Sequence, residues 1–485
     1  MSYRNRPNVI MFMLDTLRAS DTYQNDRAEN LNRMAKAGIS YTNAVSPGTW
    51  TATSHASMFA GKPVSSIPEA SKDLFINGTK KIDPWFVKTK FLPDQINTIA
   101  SRLTERGYTT TLFSNNPFLN SMTNLSAGFG ITYDLWKETN APQKGKLAEK
   151  ASSLLQGGSS TRMRMMDISY SVSRIFPERL LDKIYLDLRI KLDRGVAERD
   201  STYRLDRGAR SANAAIKGHM ERSKQFDIMP KFYFINYIEA HENYPVSRDI
   251  IQDKWLYMSG ILELDDRTKK ELHKAYLRRI GYLDRMVGKA LASMRESGIL
   301  DDALVVFLSD HGQFFGEHSL LYHSLTPYNE VSNVPLISVR FKNGKPLKEG
   351  KVVEEPVSLG RIGNAIGKVV DNSYQNLNGH MFGDVYSEHT GISEGWDEYL
   401  LSKLRRRSSI ADMIYRAKLR SNSKAVAIYG NKLKLIHFYG KGKDEMYTIE
   451  DRNEEWNIIR AHRTEQKEMI RRYAKYLSSH TSLSI

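Results

Sequence analysis

Residues 47–61 read PGTWTATSHASMFAG, a loop that gathers three threonines, two serines and a histidine before a run of small residues able to start a helix. Hydroxyls this dense can satisfy the turn's own backbone. They can also include a nucleophile set at a helix N-terminus, where free N–H groups and the dipole favour an anion. Two further clusters bear on the choice. Asp15 follows the apolar run VIMFML, and Asp310-His311-Gly312 follows ALVVFLS. Two carboxylates and an imidazole are hard ligands suited to Mg, Mn, Ca or Zn. A divalent ion held by them would polarise an ester oxygen and lower the pKa of a coordinated hydroxyl, which is what a threonine needs in order to attack. Taken singly, Asp15 reads as a helix N-cap and His241 as a strand-end histidine satisfied by its neighbours. Their joint placement favours a shared site.

The elements that must position these residues follow from the hydropathy pattern. VIMFML reads as a buried strand, and Leu31, Met34 and Ala35 have helical spacing before a second strand. A helix ending at Gly107 precedes a strand ending at Ser114, and a strand over 232–238 delivers Glu239, His241 and Glu242. A long helix stopping at Gly298 leads to a strand over 303–308. Helices alternating with fully apolar strands predict an α/β fold, a mostly parallel sheet covered on both faces. Ligands bind beyond the carboxyl ends of such strands, so Asp15, Asn115, Asn116, His241, Asp310 and His311 are expected to converge. A helix is expected to begin near Ser54.

Two regions break the rhythm. Residues 140–225 form a basic helical insertion without strands, expected as a solvated lid or oligomer contact, with a membrane-surface helix as the alternative. Beyond residue 375 an antiparallel meander turns at Gly430-Asn431 and at 440–442 and ends in a basic helix. The expected division is therefore a catalytic domain over 1–375 and an α+β subdomain over 376–485.

The 485 residues carry no cysteine and a formal net charge of +16. Disulfides, thiolate nucleophiles and cysteine zinc sites are excluded, which agrees with a reducing setting; VIMFML, between Arg6 and Asp15, is too short for a secretory signal, so a cytoplasmic location is expected. No run is long and apolar enough for a membrane span. The basic balance favours anionic partners: phosphate or sulfate esters, or peripheral contact with an anionic membrane surface. Nucleic acid is not expected, because no paired Cys/His motif or aromatic RNP-like strand is present.

Five stretches in this order, NVIMFMLDTLRASD, SPGTWTATSHASMFAGKPVSS, INYIEAHENYP, ALVVFLSDHGQFFGEHSLLYH and NVPLISVRF, resemble the sulfatase-like branch of the alkaline phosphatase superfamily. The C-terminal NKLKLIHF and DEMYTIEDRNEE resemble the short sheet that ends such chains. The resemblance implies an alkaline-phosphatase-like mixed sheet, with Asp15, Asp310 and His311 as ligands of a divalent cation. Thr51 falls on the nucleophile position and is the expected fourth ligand. Ser54, His55 and Asn116 are expected to contact substrate, with His55 where an arginine is usual. His241 corresponds to a substrate-contacting histidine, and His323 to the group that contacts the ester or protonates the leaving group.

Threonine changes the chemistry that the resemblance implies. Sulfatases in the strict sense convert a Cys or Ser in this loop to formylglycine, and threonine cannot yield that aldehyde. Thr16 also stands where many sulfatases place a further acidic ligand. The expectation is a hydrolase or transferase acting on an anionic ester of a sugar, lipid headgroup or small metabolite, with phosphoester chemistry preferred. The alternatives are a sulfuric ester hydrolase without formylglycine and an inactive protein that keeps the fold for binding.

Overall fold

The computed structural model describes residues 6–23, 25–67, 91–136, 205–223, 229–242, 244, 254–323, 325–372, 376–377, 379–391, 411–440 and 443–480. In chain order the elements are β1 (Asn8–Leu14), α1 (Glu29–Ala37), β2 (Ile39–Val45), α2 (Thr51–Ala60), α3 (Ile99–Glu105), β3 (Thr109–Ser114), β4 (Ile131–Asp134), α4 (Ala209–Ser223), β5 (Lys231–Tyr237), α5 (Asp266–Glu296) and β6 (Asp302–Leu308). There follow β7 (Phe314–Phe315), β8 (Leu321–Tyr322), β9 (Asn333–Lys342), β10 (Lys345–Pro346), β11 (Lys351–Val353), β12 (Val357–Ser358), α6 (Ile362–Asn372), β13 (Val385–His389), α7 (Ala411–Ser421), β14 (Ala425–Tyr429), β15 (Leu433–Phe438), β16 (Glu445–Thr448) and α8 (Arg463–His480).

Strand β1 shows why the large sheet must be covered twice. Its side chains alternate between two cores: Ile10, Phe12 and Leu14 face one, and Val9, Met11 and Met13 face the other. Helices α1, α4 and α5 cover the first face through Leu31, Met34, Ala212, Ile216, Tyr276 and Leu283. Helices α2, α3 and α6 cover the second through Phe59, Ile99, Leu103, Ile362 and Ile366. Phe12 stacks on Phe307 at 5.2 Å between ring centroids, so its truncation to alanine would cost about 3–5 kcal/mol.

The sheet order is β11-β2-β9-β6-β1-β5-β3-β4, with β10 beside β9 and β12 beside β2. The run from β6 through β1, β5 and β3 to β4 is parallel, which aligns its carboxyl ends along one edge. Strand β9 runs antiparallel to both β6 and β2, so the sheet is mixed and mostly parallel, as the sequence predicts.

The expected C-terminal meander is present, and it has a fourth strand. β13 pairs with β14 and completes an antiparallel sheet, β13-β14-β15-β16. One face of this sheet packs on α8 through Tyr386, Leu435, Met469 and Tyr473. The other face packs on Val45, Phe314 and Tyr328 beside the large sheet.

Of the expected insertion at 140–225, residues 140–204 and 224–225 lie outside the described residues. Helix α4, within the same stretch, is part of the sheet's cover. Among the described residues, no helix is long and apolar enough to cross a membrane.

Candidate active site

Asp15 ends β1, and its N–H donates to the Tyr237 carbonyl at 2.9 Å, so it is pinned to β5 and caps no helix. Thr16 turns the chain at a φ of 64°. Its hydroxyl donates to the Asp15 carbonyl at 2.7 Å and its N–H to Asp310 Oδ1 at 3.4 Å. Thr16 therefore braces the turn with its hydroxyl on the backbone and its N–H on the Asp310 carboxylate. Asp310 Oδ1 also accepts from the His311 N–H at 3.0 Å. The next residue must be glycine: a Cβ on Gly312 would lie 2.1 Å from the Glu330 carbonyl oxygen.

His311 Nδ1 donates to the Gly312 carbonyl at 2.9 Å, which leaves Nε2 as a lone pair. That nitrogen lies 3.2 Å from Thr51 Oγ1, 3.5 Å from Asp310 Oδ2 and 4.0 Å from Asp15 Oδ1. Asp15 Oδ1 and Asp310 Oδ2 are buried without a hydrogen-bond partner. Buried carboxylate oxygens facing an imidazole lone pair are costly unless a cation joins them. The donor set of two carboxylates, one imidazole and one hydroxyl fits a divalent ion such as Ca, Mn, Mg or Zn.

The electrostatics agree with that fit. Burial, with Asp310 alongside, pushes the Asp15 carboxyl well above its ordinary range. Burial also works against the charge of Asp310, but His311 and His55 hold its carboxyl below the usual value. Burial drives His311 down to about 4.

Thr51 is the first residue of α2, three positions earlier than the expected helix start, and no side chain caps the helix. The surrounding hydroxyls divide the work. Ser46 and Ser54 bond each other at 2.6 Å, and Ser54 Oγ donates to the Asp310 carbonyl at 2.7 Å. Thr53 bonds back to Trp50 at 3.1 Å. Thr49 meets His389 Nδ1 at 3.2 Å, where β13 reaches the loop. The Glu388 N–H donates to Pro47 at 2.9 Å beside it.

A second cluster lies next to the first. The His323 ring is 4.3 Å from that of His311 and 5.3 Å from that of His241, between centroids. Glu242 Oε2 stands 3.1 Å from His241 Nδ1 and 3.3 Å from His323 Nε2, and Lys254 reaches Oε1 at 2.9 Å. Burial lowers His241 to about 3. Burial opposes ionisation of Glu242, yet His241, Lys254 and His323 hold its carboxyl well below the usual range. Arg207 Nη1 donates to the carbonyls of His241 at 2.8 Å and Glu242 at 2.6 Å, and Arg279 to that of His241 at 2.9 Å.

Asp15, Thr51, Asp310, His311, His241 and His323 are thus brought together as expected. Three expected substrate contacts are placed differently. Ser54 is turned to the loop backbone. The His55 ring lies among core aromatics, 5.6 Å from Phe59 and 5.9 Å from Phe234, and its Nδ1 donates to Thr51 O at 2.8 Å. Asn116 is spent on both sides, donating to Asp15 Oδ2 at 2.7 Å and accepting from the Phe118 N–H at 2.9 Å. Glu239 faces away as well, accepting from the N–H groups of Arg207 at 3.0 Å and Ala209 at 2.8 Å at the start of α4. Lys254, Arg207 and Arg279 escaped the sequence reading because nothing in their local pattern marks them. Glu242, adjacent to His241 at a strand end, carried the one usable signal.

Comparison with known proteins agrees with this architecture. The Sulfatase family profile matches residues 7–191 and 203–370. An arylsulfatase of Clostridium perfringens is 28% identical over 138 residues, covering 27% of this chain and 28% of that protein. The aligned stretch thus spans little more than a quarter of that relative's length. A phosphonate monoester hydrolase from Silicibacter pomeroyi superposes with a TM-score of 0.60 at 15% identity, over 99% of this chain and 96% of its own. A 2-O GAG sulfatase superposes equally well, at 0.60 with 12% identity, over 99% of this chain and 93% of its own. With the profile matched over most of the chain, the chain belongs to the sulfatase family.

Proposed function

We propose that the chain is a metal-dependent hydrolase or transferase that cleaves a phosphate or sulfate ester, with phosphoesters preferred and Thr51 as nucleophile. One observation carries the reading: the Thr51 hydroxyl sits 3.2 Å from His311 Nε2 at the start of α2, beside the unpartnered Asp15 Oδ1 and Asp310 Oδ2. Asp15, Asp310, His311 and Thr51 would hold the cation, whose charge polarises the ester and lowers the pKa of the hydroxyl.

The uncapped N–H groups at the start of α2 favour the anionic ester oxygens. His241 contacts those oxygens, and His323 gives a proton to the departing alkoxide. In the first step the Thr51 hydroxyl releases its proton to solvent, the bond from Oγ1 to the central atom forms and the bond to the leaving group breaks. Since threonine gives no formylglycine, water or an acceptor alcohol must then displace Thr51 at the same central atom. The resemblance to an arylsulfatase and the fold shared with a phosphonate monoester hydrolase both suit a tetrahedral anionic ester.

Turnover of an aryl phosphodiester and an aryl sulfate, with wild type, Thr51→Ala and Thr51→Ser, tests the reading. Thr51→Ala should lose activity on the order of 10³-fold or more while keeping metal, and Thr51→Ser should retain part of the rate. Intact mass should show unmodified threonine. Undiminished Thr51→Ala activity would remove the nucleophile from the proposal, and aryl sulfate turnover without phosphodiester turnover would reverse the substrate preference.

A further inference from the structure

Among the described residues, helix α7 packs one apolar face inward and leaves a second exposed. Met413 and the fully buried Ala417 pack inward on Trp255 and Leu256 of the short helix Lys254–Met258. Arg420 ties the helix end down, donating to the carbonyls of Ser259 at 3.0 Å and Gly260 at 2.7 Å. Two residues on from Met413, and so on the opposite side, Tyr415 is 61% exposed and Leu419 is 56% exposed. Spaced four apart, they stand one above the other on the outer surface. Arg416 and Lys418 flank them, both exposed. In sequence, residues 405–424 hold seven Lys or Arg against the single acidic Asp412.

We propose that α7 docks on an anionic lipid bilayer, with Tyr415 and Leu419 entering the headgroup layer and Arg416 and Lys418 meeting its negative charge. An amphipathic surface helix with an apolar edge and basic flanks is built for that environment. Charge decides the occupant. A second copy of this chain on the same face would bring two basic stripes together, and the chain's formal net charge of +16 adds to the repulsion. The outer face presents two exposed apolar side chains between basic ones, which a broad, deformable anionic surface can accept.

The placement also bears on substrate. The helix that α7 packs against begins at Lys254, whose ammonium is 2.9 Å from Glu242 Oε1 and 4.8 Å from the centre of the Tyr322 ring. A bilayer held at α7 therefore lies one short helix away from the His241–Glu242–His323 cluster, which favours an ester on a lipid headgroup as substrate. This substrate assignment rests on the ester-cleaving reading above; the docking itself does not.

Sedimentation of the full-length protein with phosphatidylglycerol vesicles, and with phosphatidylcholine vesicles as control, tests the proposal. Wild type should bind the anionic vesicles more tightly and less so as salt rises. Arg416→Gln/Lys418→Gln should weaken binding about 25-fold, at about fivefold per basic residue. Tyr415→Ser/Leu419→Ser should weaken it at least tenfold. Both exposed-residue variants should keep wild-type turnover of a soluble aryl phosphodiester. Equal vesicle binding by wild type and both variants would overturn the proposal, as would no preference for the anionic vesicles. A concentration-dependent dimer lost in the Tyr415/Leu419 variant would overturn it in favour of a second copy. Absent turnover of soluble ester in every form would sink the catalytic reading and leave the vesicle result standing.

Discussion

Asn116 donates its side-chain amide to Asp15 Oδ2 at 2.7 Å, which fixes the carboxylate so that Oδ1 stands 4.0 Å from His311 Nε2. The residue thus positions a candidate ligand. Asn116→Ala should lower the affinity for the divalent cation about 10–100-fold without unfolding the protein. Chelator competition gives the measurement, with Asp310→Asn as the variant that should lose the metal. Wild-type affinity in Asn116→Ala would show that Asp15 needs no such support.

His323, next to His311, should matter in proportion to how badly the leaving group needs a proton. Its replacement by glutamine is expected to slow an alkyl phosphodiester about 10²–10⁴-fold and a nitrophenyl ester far less. A rate series across leaving groups is the check. A uniform loss would assign His323 to binding the ester oxygens.

Lys434 is buried between the two sheets, 2.7 Å from Glu454 Oε1 and 3.0 Å from Asn329 Oδ1. Lys434→Met strands the Glu454 charge and should cost about 3–5 kcal/mol in urea denaturation. Lys434→Met/Glu454→Gln should recover most of that loss. A double variant as unstable as the single would show that packing, and not charge, is what Lys434 supplies.

His318 stacks on Tyr328 at 3.8 Å and lies 3.5 Å from Glu330 Oε2. Burial opposes its charge, but Glu330 outweighs burial and raises its pKa above the ordinary value. A raised folded-state pKa means that this stabilisation is fully present below the unfolded value near 6.5 and is lost as pH rises through the folded one. Melting temperatures taken from pH 5 to 9 should show that decline in wild type and a flatter profile in His318→Gln. Parallel profiles would sink the assignment.

The strands and the carboxylates at their ends were legible because a fully buried parallel strand is written as an unbroken apolar run, and the first polar residue after it is the one at the edge. Asp15 after VIMFML and Asp310 after ALVVFLS are read this way. β13 was not legible, since its VYSEH sequence keeps polar groups that find specific partners, Ser65 for Glu388 and Thr49 for His389. Within the hydroxyl loop, spacing located the chemistry but not its direction. Which of Thr51, Ser54 and His55 faces the carboxylates depends on where α2 starts and on contacts with Asp310, some 256 residues away for Ser54. Asn116 failed for the same reason: a short amide at a strand end can point at a substrate or at Asp15, and only tertiary placement chooses.

The contact between Thr49 and His389 joins residues 340 positions apart, and Glu388 holds Pro47 beside it. During synthesis the hydroxyl loop around Thr51 emerges well before the strand that clamps it, which follows more than 320 residues later. A nascent polypeptide can therefore lay down β1, β3, β5 and β6 and still lack a braced Thr49–Thr51 loop until residue 389 has left the ribosome. A ribosome stalled before β13 should therefore display a folded sheet beside an unclamped loop.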